Sequence, residues 1–455
     1  MSTSIDALRE QVRAQIITAD DSAYDDARAV HNGMFDRKPL AILRAEQVAD
    51  VVAGVNYARD AGVELAVRGG GHSAPGFGST DGGLVIDLSG MRGVHVDPRA
   101  LTARAGGGAT WGDYNYATHA YGLASTGGIV STTGVGGLTL NGGIGYLTRG
   151  QGLSIDCLAS AEVVTADGQV RTASAEENPD LFWAIRGGGG NFGVVTSFEF
   201  NVQPVKDAYV GLFFYELEHA GDLLRFFRDW IQDAPREYGA FPAFQVAPPL
   251  PFVPEDRHGD TFCVAVVHWT GPMDEGEKAM QPFRDLAPRV AEMCDVWPYP
   301  QLNGAFDGLF PKGIRSYWKG AYVMELTDEA IEAHLAHGPH APDASSTMHL
   351  YPINGAAHDP SPSDTAFAYR SATYAAVILS AWQDPALDVE RRQWVRDYYD
   401  AISPHSERGG YLGFMAEDDA DKVEDNFAGN YPRLTEVKRA YDPDNLFRLN
   451  QNIVP

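Results

Sequence analysis

Three consecutive glycines followed by an imidazole form the most chemically suggestive segment of the chain, Arg68-Gly69-Gly70-Gly71-His72-Ser73. Residues without a Cβ expose successive backbone N–H groups, which is what a pyrophosphate requires of a loop. A simple turn accounts for the glycines but not for Arg68 before them and His72 after them, so the segment reads as a phosphate cradle with a reactive side chain at its edge. A second set, Gly188, Gly190 and Gly193, matches G-x-G-x-x-G. That fingerprint needs a helix after it, and here the β-rich VVTSFEF follows, so a Rossmann nicotinamide site is rejected.

Other titratable groups are spaced less tellingly. In MHLYPINGAA, a predicted strand, alternation puts His349, Tyr351 and Ile353 on one face. Either that face lines a cleft or it packs as ordinary core, and Tyr317 and Lys319 in RSYWKG have the same status. His334, His337 and His340 recur every third residue, but Gly338-Pro339 interrupts the helix before the third and no carboxylate is placed to join them. They read as a solvated helix end, and no metal is expected. Cys157, Cys263 and Cys294 are isolated, with neither zinc nor disulfide spacing.

The elements that must position these groups are legible in outline. Ile5, Leu8, Val12 and Ile16 predict one amphipathic helix, and Val48, Val51, Val52 and Val55 a second. ELAVR and GLVIDL read as strands flanking the glycine loop, and SAEVVTADGQVRTAS as a hairpin turning at Asp167-Gly168. Beyond Pro204 apolar strands such as VGLFFYEL and TFCVAVVHW alternate with charged helical stretches such as DEGEKAMQPFRDLAPRVAEM. NYPRLTEVKRAYDPDNLF closes the chain as a compact helix with Pro432 at its start. This divides the chain into 1–205, 206–405 and 406–455, an α+β organisation.

Composition narrows the function classes. At 455 residues the chain exceeds the size at which one core keeps growing, and 44% apolar content supports real cores. A formal charge of −26 without a basic stripe argues against nucleic acid and anionic membrane surfaces as partners. No apolar run resembles a signal peptide or a membrane span, so a soluble cytoplasmic enzyme acting on a small molecule is expected.

Taken together, VRGGGHS, TGVGGLTLNGGIGYLTR, LFWAIRGGGGNFGVVT and NYPRLTEVKRAYDPDNLFRLNQNI resemble, in order and over nearly the whole chain, the berberine-bridge-enzyme-like branch of the vanillyl-alcohol-oxidase flavoproteins. The resemblance implies an FAD-binding region of two α+β subdomains over 1–205. It also implies a substrate region over 206–405 with a large antiparallel sheet flanked by helices, and a segment over 406–455 returning to the flavin. It makes His72 the covalent attachment to the flavin's 8α carbon. Further FAD contacts would come from Arg68, Gly69, Gly70, Gly71, Ser73, Thr133, Gly134, Gly136, Gly137, Gly142, Gly143, Gly193, Val195, Asn450 and Asn452.

Three departures from the family pattern matter. Val130 stands where many relatives carry a second, cysteine link, so His72 is expected to be the only tether. Thr133 stands where the family's oxygen-access residue lies, and its size, close to valine, favours an oxidase that forms hydrogen peroxide from molecular oxygen. Phe414 stands where many relatives use a tyrosine base, so any base must come from Tyr351, His349 or Tyr317, with Lys319 or Arg370 available to lower a tyrosine pKa. The implied activity is hydride removal from a carbon bearing oxygen or nitrogen in a small metabolite. The alternatives are a flavin dehydrogenase using another acceptor, or a flavin-binding protein whose cleft has decayed.

Overall fold

The β-branched run ahead of the glycine loop does form a strand: in the computed structural model, which describes residues 4–455, Leu65–Arg68 pairs in parallel with Leu84–Asp87. These two belong to a four-stranded sheet in the order Gln15–Ile17, Ala41–Arg44, Leu84–Asp87, Leu65–Arg68. The helix Val48–Ala61 packs on it, burying Val51 and Val55. Its last turn ends at Gly62, whose φ of 64° is the left-handed value that a helix C-terminus uses and glycine adopts without strain. The opening segment departs from expectation. Only Ile5–Arg9 is helical, and Ile16 lies in the edge strand Gln15–Ile17, because pairing with Ala41–Arg44 captures residues that a lone helix would have held.

A second, five-stranded sheet runs in the order Val94–Asp97, Thr102–Gly106, Val194–Asn201, Leu158–Val164, Val170–Ser174. The last two strands form the expected hairpin, with Gly168 at φ 78° in its turn. Val194–Asn201, the strand that follows the G-x-G-x-x-G segment, lies at the centre of this sheet.

The third sheet has seven antiparallel strands: Arg289–Pro298, Asp207–Tyr215, Thr261–Trp269, Tyr238–Val246, Ser346–Pro352, Tyr374–Trp382, Arg315–Val323. Its strands alternate two apolar sets. One set, with Met348, Leu350 and Ile378, packs under the helices Ala220–Asp233, Asp328–His337 and Asp388–Ile402. The other, with Phe241, Tyr351, Val377 and Leu379, faces away from them. The expected charged helix over 274–293 is cut short: Gly276–Ala279 and Gln281–Leu286 are helical, but RVAEM lies in Arg289–Pro298, drawn into the sheet by pairing with Asp207–Tyr215. The closing helix is Tyr431–Tyr441, with Pro432 in its first turn.

Candidate active site: a glycine cradle joined to an aromatic chamber

The strand Leu65–Arg68 delivers the glycine loop to the wall of a cavity of about 330 Å3. Two glycine segments meet there backbone to backbone. A Cβ on Gly70 would stand 2.4 Å from the Gly134 nitrogen, and a Cβ on Gly134 would stand 2.4 Å from the Gly70 nitrogen. No side chain fits between them, so the loop's polar groups stay open to the cavity. The N–H groups of Gly70, Gly71, His72 and Ser73 donate to no backbone acceptor among the described residues. Gly134→Val is expected to prevent cofactor uptake, read as purified protein lacking flavin absorbance. A flavin-replete variant would show that the contact is dispensable.

Arg68 is held rigidly, its Nη2 donating to Asp87 Oδ2 at 2.9 Å and to the Ala27 carbonyl at 2.6 Å. Its Nη1 is buried with no partner, as is Oδ1 of Asn450, whose Nδ2 donates to the Phe447 carbonyl at 3.0 Å. Both residues line the cavity. Orphaned buried polar atoms carry a desolvation cost unless a ligand satisfies them. Unpaired amides, a guanidinium edge and an amide oxygen on one wall are the donor and acceptor set that a dinucleotide's pyrophosphate and polar ring edges require, so these residues fit FAD.

His72 stands at the edge of this cradle. Its Nε2 lies 2.9 Å from the hydroxyl oxygen of Thr132, and its ring stacks on that of His31, with centroids 3.8 Å apart and planes inclined by 29°. Burial, reinforced by His31, pushes the His72 imidazole down to about 3, so it stays neutral. Val130 and Thr133 also line the cavity. Between them Ser131 bonds through its amide to Asp307 Oδ1 at 2.8 Å, which fixes the segment.

The other end of the cavity is aromatic. Phe306, Phe310, Trp318, Phe414 and Tyr411 surround His349 and Tyr351, with Leu379 beneath. Trp318 and Phe414 stack at 6.0 Å, and the His349 ring lies 4.8 Å from Phe241. His349 Nδ1 and the Tyr351 hydroxyl share a short hydrogen bond. Burial pushes the His349 imidazole down to about 3 and the Tyr351 phenol up, so both are neutral.

Several expected site residues lie elsewhere. Tyr317 does not reach the cavity: Ser316 and Trp318 do, and strand alternation turns Tyr317 to the opposite face. There its hydroxyl donates to Asp418 Oδ2 at 2.8 Å. Lys319 shares that face, its Nζ 2.9 Å from Asp418 and 2.6 Å from Asp419, while Arg370 forms paired 2.7 Å bonds with Asp156. Neither cation attends Tyr351, whose pKa burial raises instead of lowering. Gly142 and Gly143 support the wall from behind: the Gly143 amide donates to the Tyr411 hydroxyl at 3.0 Å, and Gly142 abuts Phe367. Asn452 is absent from the lining, where its neighbour Gln451 appears, and the next residue, Ile453, donates its amide to Asn191 Oδ1 at 2.9 Å. Arg68, Gly69, Gly70, Gly71, His72, Ser73, Thr133, Gly134, Gly136, Gly137, Gly193, Val195 and Asn450 do line it.

Sequence reasoning missed His31, Thr132, Trp318, Phe306, Phe310 and Gln451. Thr132, Trp318 and Gln451 lie inside segments already singled out. The remainder reach the cavity from separate elements. His334 is buried, with Nδ1 2.9 Å from the Tyr398 hydroxyl, not solvated. Among the described residues no three His, Cys, Asp or Glu side chains are grouped as a metal ion requires, and no helix is long and apolar enough to cross a membrane.

Residues 39–174 match the family model described as an FAD binding domain, and residues 410–454 the one described as berberine and berberine like. The chain is 32% identical to an FAD-linked oxidoreductase of Dictyostelium discoideum, over 92% of this chain and 89% of that protein. The crystal structure of 6-hydroxy-D-nicotine oxidase from Arthrobacter nicotinovorans superposes with a TM-score of 0.85 at 29% identity, covering 98% of each chain. A glucooligosaccharide oxidase from Acremonium strictum, described as carrying a 6-S-cysteinyl, 8α-N1-histidyl FAD, gives a TM-score of 0.85 at 24% identity over 99% of each chain.

Proposed function

The chain belongs to the berberine-bridge-enzyme-like FAD-linked oxidoreductases, and from that premise we propose that it is an oxidase of a small, uncharged, ring-containing molecule. The carbon attacked bears oxygen or nitrogen. The observation that carries this reading is the charge distribution around the cavity: among the described residues Arg68, at the cradle end, is the only Lys, Arg, Asp or Glu side chain lining it. An ion entering the aromatic end would meet no opposite charge and would lose its hydration uncompensated. A planar or cyclic neutral molecule gains ring contacts from Trp318, Phe414 and Phe306.

FAD supplies the hydride acceptor and, with molecular oxygen as oxidant, yields hydrogen peroxide. The chain's contribution is placement. Residues 1–205 and 406–455 hold the cofactor, with His72 as its only covalent tether, and 206–405, joined by Tyr411 and Phe414 of the last segment, supply the chamber. Support for the single tether is Val130, which offers no thiol on the cavity wall. Thr133, on the same wall and close to valine in size, leaves room for oxygen.

The His349–Tyr351 pair presents a neutral donor and acceptor to the substrate heteroatom, and Phe414 contributes no proton acceptor. Neither member of the pair holds charge readily, so the reading fits a substrate whose own lone pair expels the hydride. Tyr351→Phe and His349→Ala are each expected to lower kcat/KM by about tenfold to a hundredfold, the scale of one oriented hydrogen bond in a transition state. The kcat/KM profile should show no protein ionisation between about pH 5 and 9, since both groups titrate outside that window.

An anaerobic screen of metabolites followed by flavin bleaching tests the proposal. Neutral aromatic or alicyclic alcohols and amines should bleach it, and stopped-flow mixing with oxygen should restore the colour quickly. Slow reoxidation would identify a dehydrogenase. Bleaching by charged substrates alone would refute the substrate class, and no bleaching by any compound would point to a decayed cleft.

A further inference from the structure

We propose that Lys319 is a positioning residue of the aromatic chamber. Its ion pairs with Asp418 and Asp419 hold a hook of chain, residues 407–419, over the edge of the seven-stranded sheet, and so fix Phe414 and Tyr411 in the wall that a substrate meets. The inference rests on the reading of that chamber as the substrate space. Arg315–Val323 is the outermost strand, so one backbone edge is open to another segment. Residues 407–410 take it: the Glu407 amide donates to the Tyr322 carbonyl at 2.8 Å, and a Cβ on Gly410 would stand 2.4 Å from the Gly320 carbonyl oxygen. Beyond that crossing the hook grips both faces of the strand.

On the chamber face Phe414 stacks on Trp318 and sits so close above Gly320 that a Cβ there would lie 2.7 Å from the Phe414 Cβ. Tyr411 meets the Phe414 ring edge-on at 4.8 Å, and Tyr351 lies 5.9 Å from it across the chamber. On the opposite face Lys319, 7% exposed, donates to Asp418 Oδ1 at 2.9 Å and to Asp419 Oδ1 at 2.6 Å. Tyr317 and Arg396 each add a 2.8 Å bond to Asp418, and Asp419 accepts from the Ala416 amide of its own segment at 2.9 Å. Stacked rings slide over one another at small cost, whereas charge-assisted hydrogen bonds fix direction. The directional hold on Phe414 therefore comes from the far face of the sheet. A lysine that touches no substrate sets the width between Phe414 and the His349–Tyr351 pair.

The experiment compares wild type, Lys319→Met and Asp418→Asn as flavin-loaded proteins. Asp418 is the more exposed partner, at 36%, so its variant keeps Lys319 paired with Asp419 and serves where Lys319→Met fails to fold. Hydrogen exchange read by mass spectrometry should be about tenfold faster over 410–416 in either variant, the scale of one hydrogen bond to a charged group, with Thr261–Trp269 unchanged. The second readout is the Kd of phenol, a neutral ring compound, followed by its perturbation of flavin absorbance, and it should rise about tenfold. Wild-type exchange over 410–416 overturns the proposal. So does equal acceleration in Thr261–Trp269, the mark of a lysine that only stabilises the fold, and so does an unchanged Kd beside faster exchange. Failure of phenol to perturb even the wild-type flavin counts against the chamber as a space for neutral rings, while the exchange result still decides whether Lys319 holds its wall.

Discussion

Lowering the pH from about 6.5 towards 4 is expected to remove roughly 4 kcal/mol of folding stability per pH unit at the steepest point. The cause lies in three buried imidazoles besides His72, whose ring the proposed tether occupies in the folded and the unfolded chain alike. His268, His334 and His349 are 2%, 1% and 5% exposed, and burial pushes them down to about 4, 3 and 3. No carboxylate compensates: His268 faces Arg149 and the Tyr146 carbonyl, His334 faces His337, His405 and the Tyr398 hydroxyl, and His349 faces Tyr351. In the unfolded chain each imidazole titrates near 6.5. Between that value and the folded ones the unfolded state binds protons that the native state refuses, so the stability is fully present above about pH 6.5 and is lost as pH falls. Each group contributes about 1.4 kcal/mol per pH unit when fully out of balance, hence the sum for three. Urea unfolding followed by tryptophan fluorescence at a series of pH values measures the slope. His334→Phe should reduce it by about one third, and a flat profile across this range would show that the imidazoles can be protonated in place.

The second large effect is expected at Lys438. Its ammonium and the Asp442 carboxylate are both fully buried and 2.6 Å apart. The same Nζ donates to the carbonyls of Asn191 at 2.8 Å and Phe447 at 2.9 Å, while Asp442 accepts from the amides of Leu446 and Phe447. Burial holds the lysine below its ordinary range despite the carboxylate. Lys438→Met leaves a buried carboxylate facing no cation, which costs about 3–5 kcal/mol. The double variant with Asp442→Leu removes the stranded charge and should recover part of the loss, though not the two amide bonds that Asp442 makes. Because Lys438 joins the closing helix to the 188–193 loop and to Phe447 beside the cavity, flavin content should fall along with the melting temperature. A loss below about 1 kcal/mol would show that water reaches the site.

What was legible in the sequence follows from how local each constraint is. Gly70 and Gly71 announce themselves because their backbone geometry excludes other residues, and Pro432 marks a helix start through its fixed φ. The glycine wall of the cavity was therefore largely readable. The aromatic chamber was not. Tyr317 and Trp318 are adjacent, and which of them meets the cavity depends on how the seven-stranded sheet docks, a choice that alternation does not make. His334 looked like a helix-end residue, and its burial comes from Tyr398 on a helix 64 residues away. Likewise RVAEM has a helical pattern but an open sheet edge to join, and pairing prevailed.

The close approach of Gly70 and Gly134 bears on timing in the cell. These residues belong to segments far apart in sequence, so a nascent or half-folded chain has half a cradle, and the cofactor can bind only after both segments have docked. Flavin is then a ligand of the finished fold alone and stabilises it by mass action. On the tether proposed for His72, each molecule that loads flavin cannot lose it by dilution. The supply of flavin during synthesis would then govern how much of the protein escapes proteolysis.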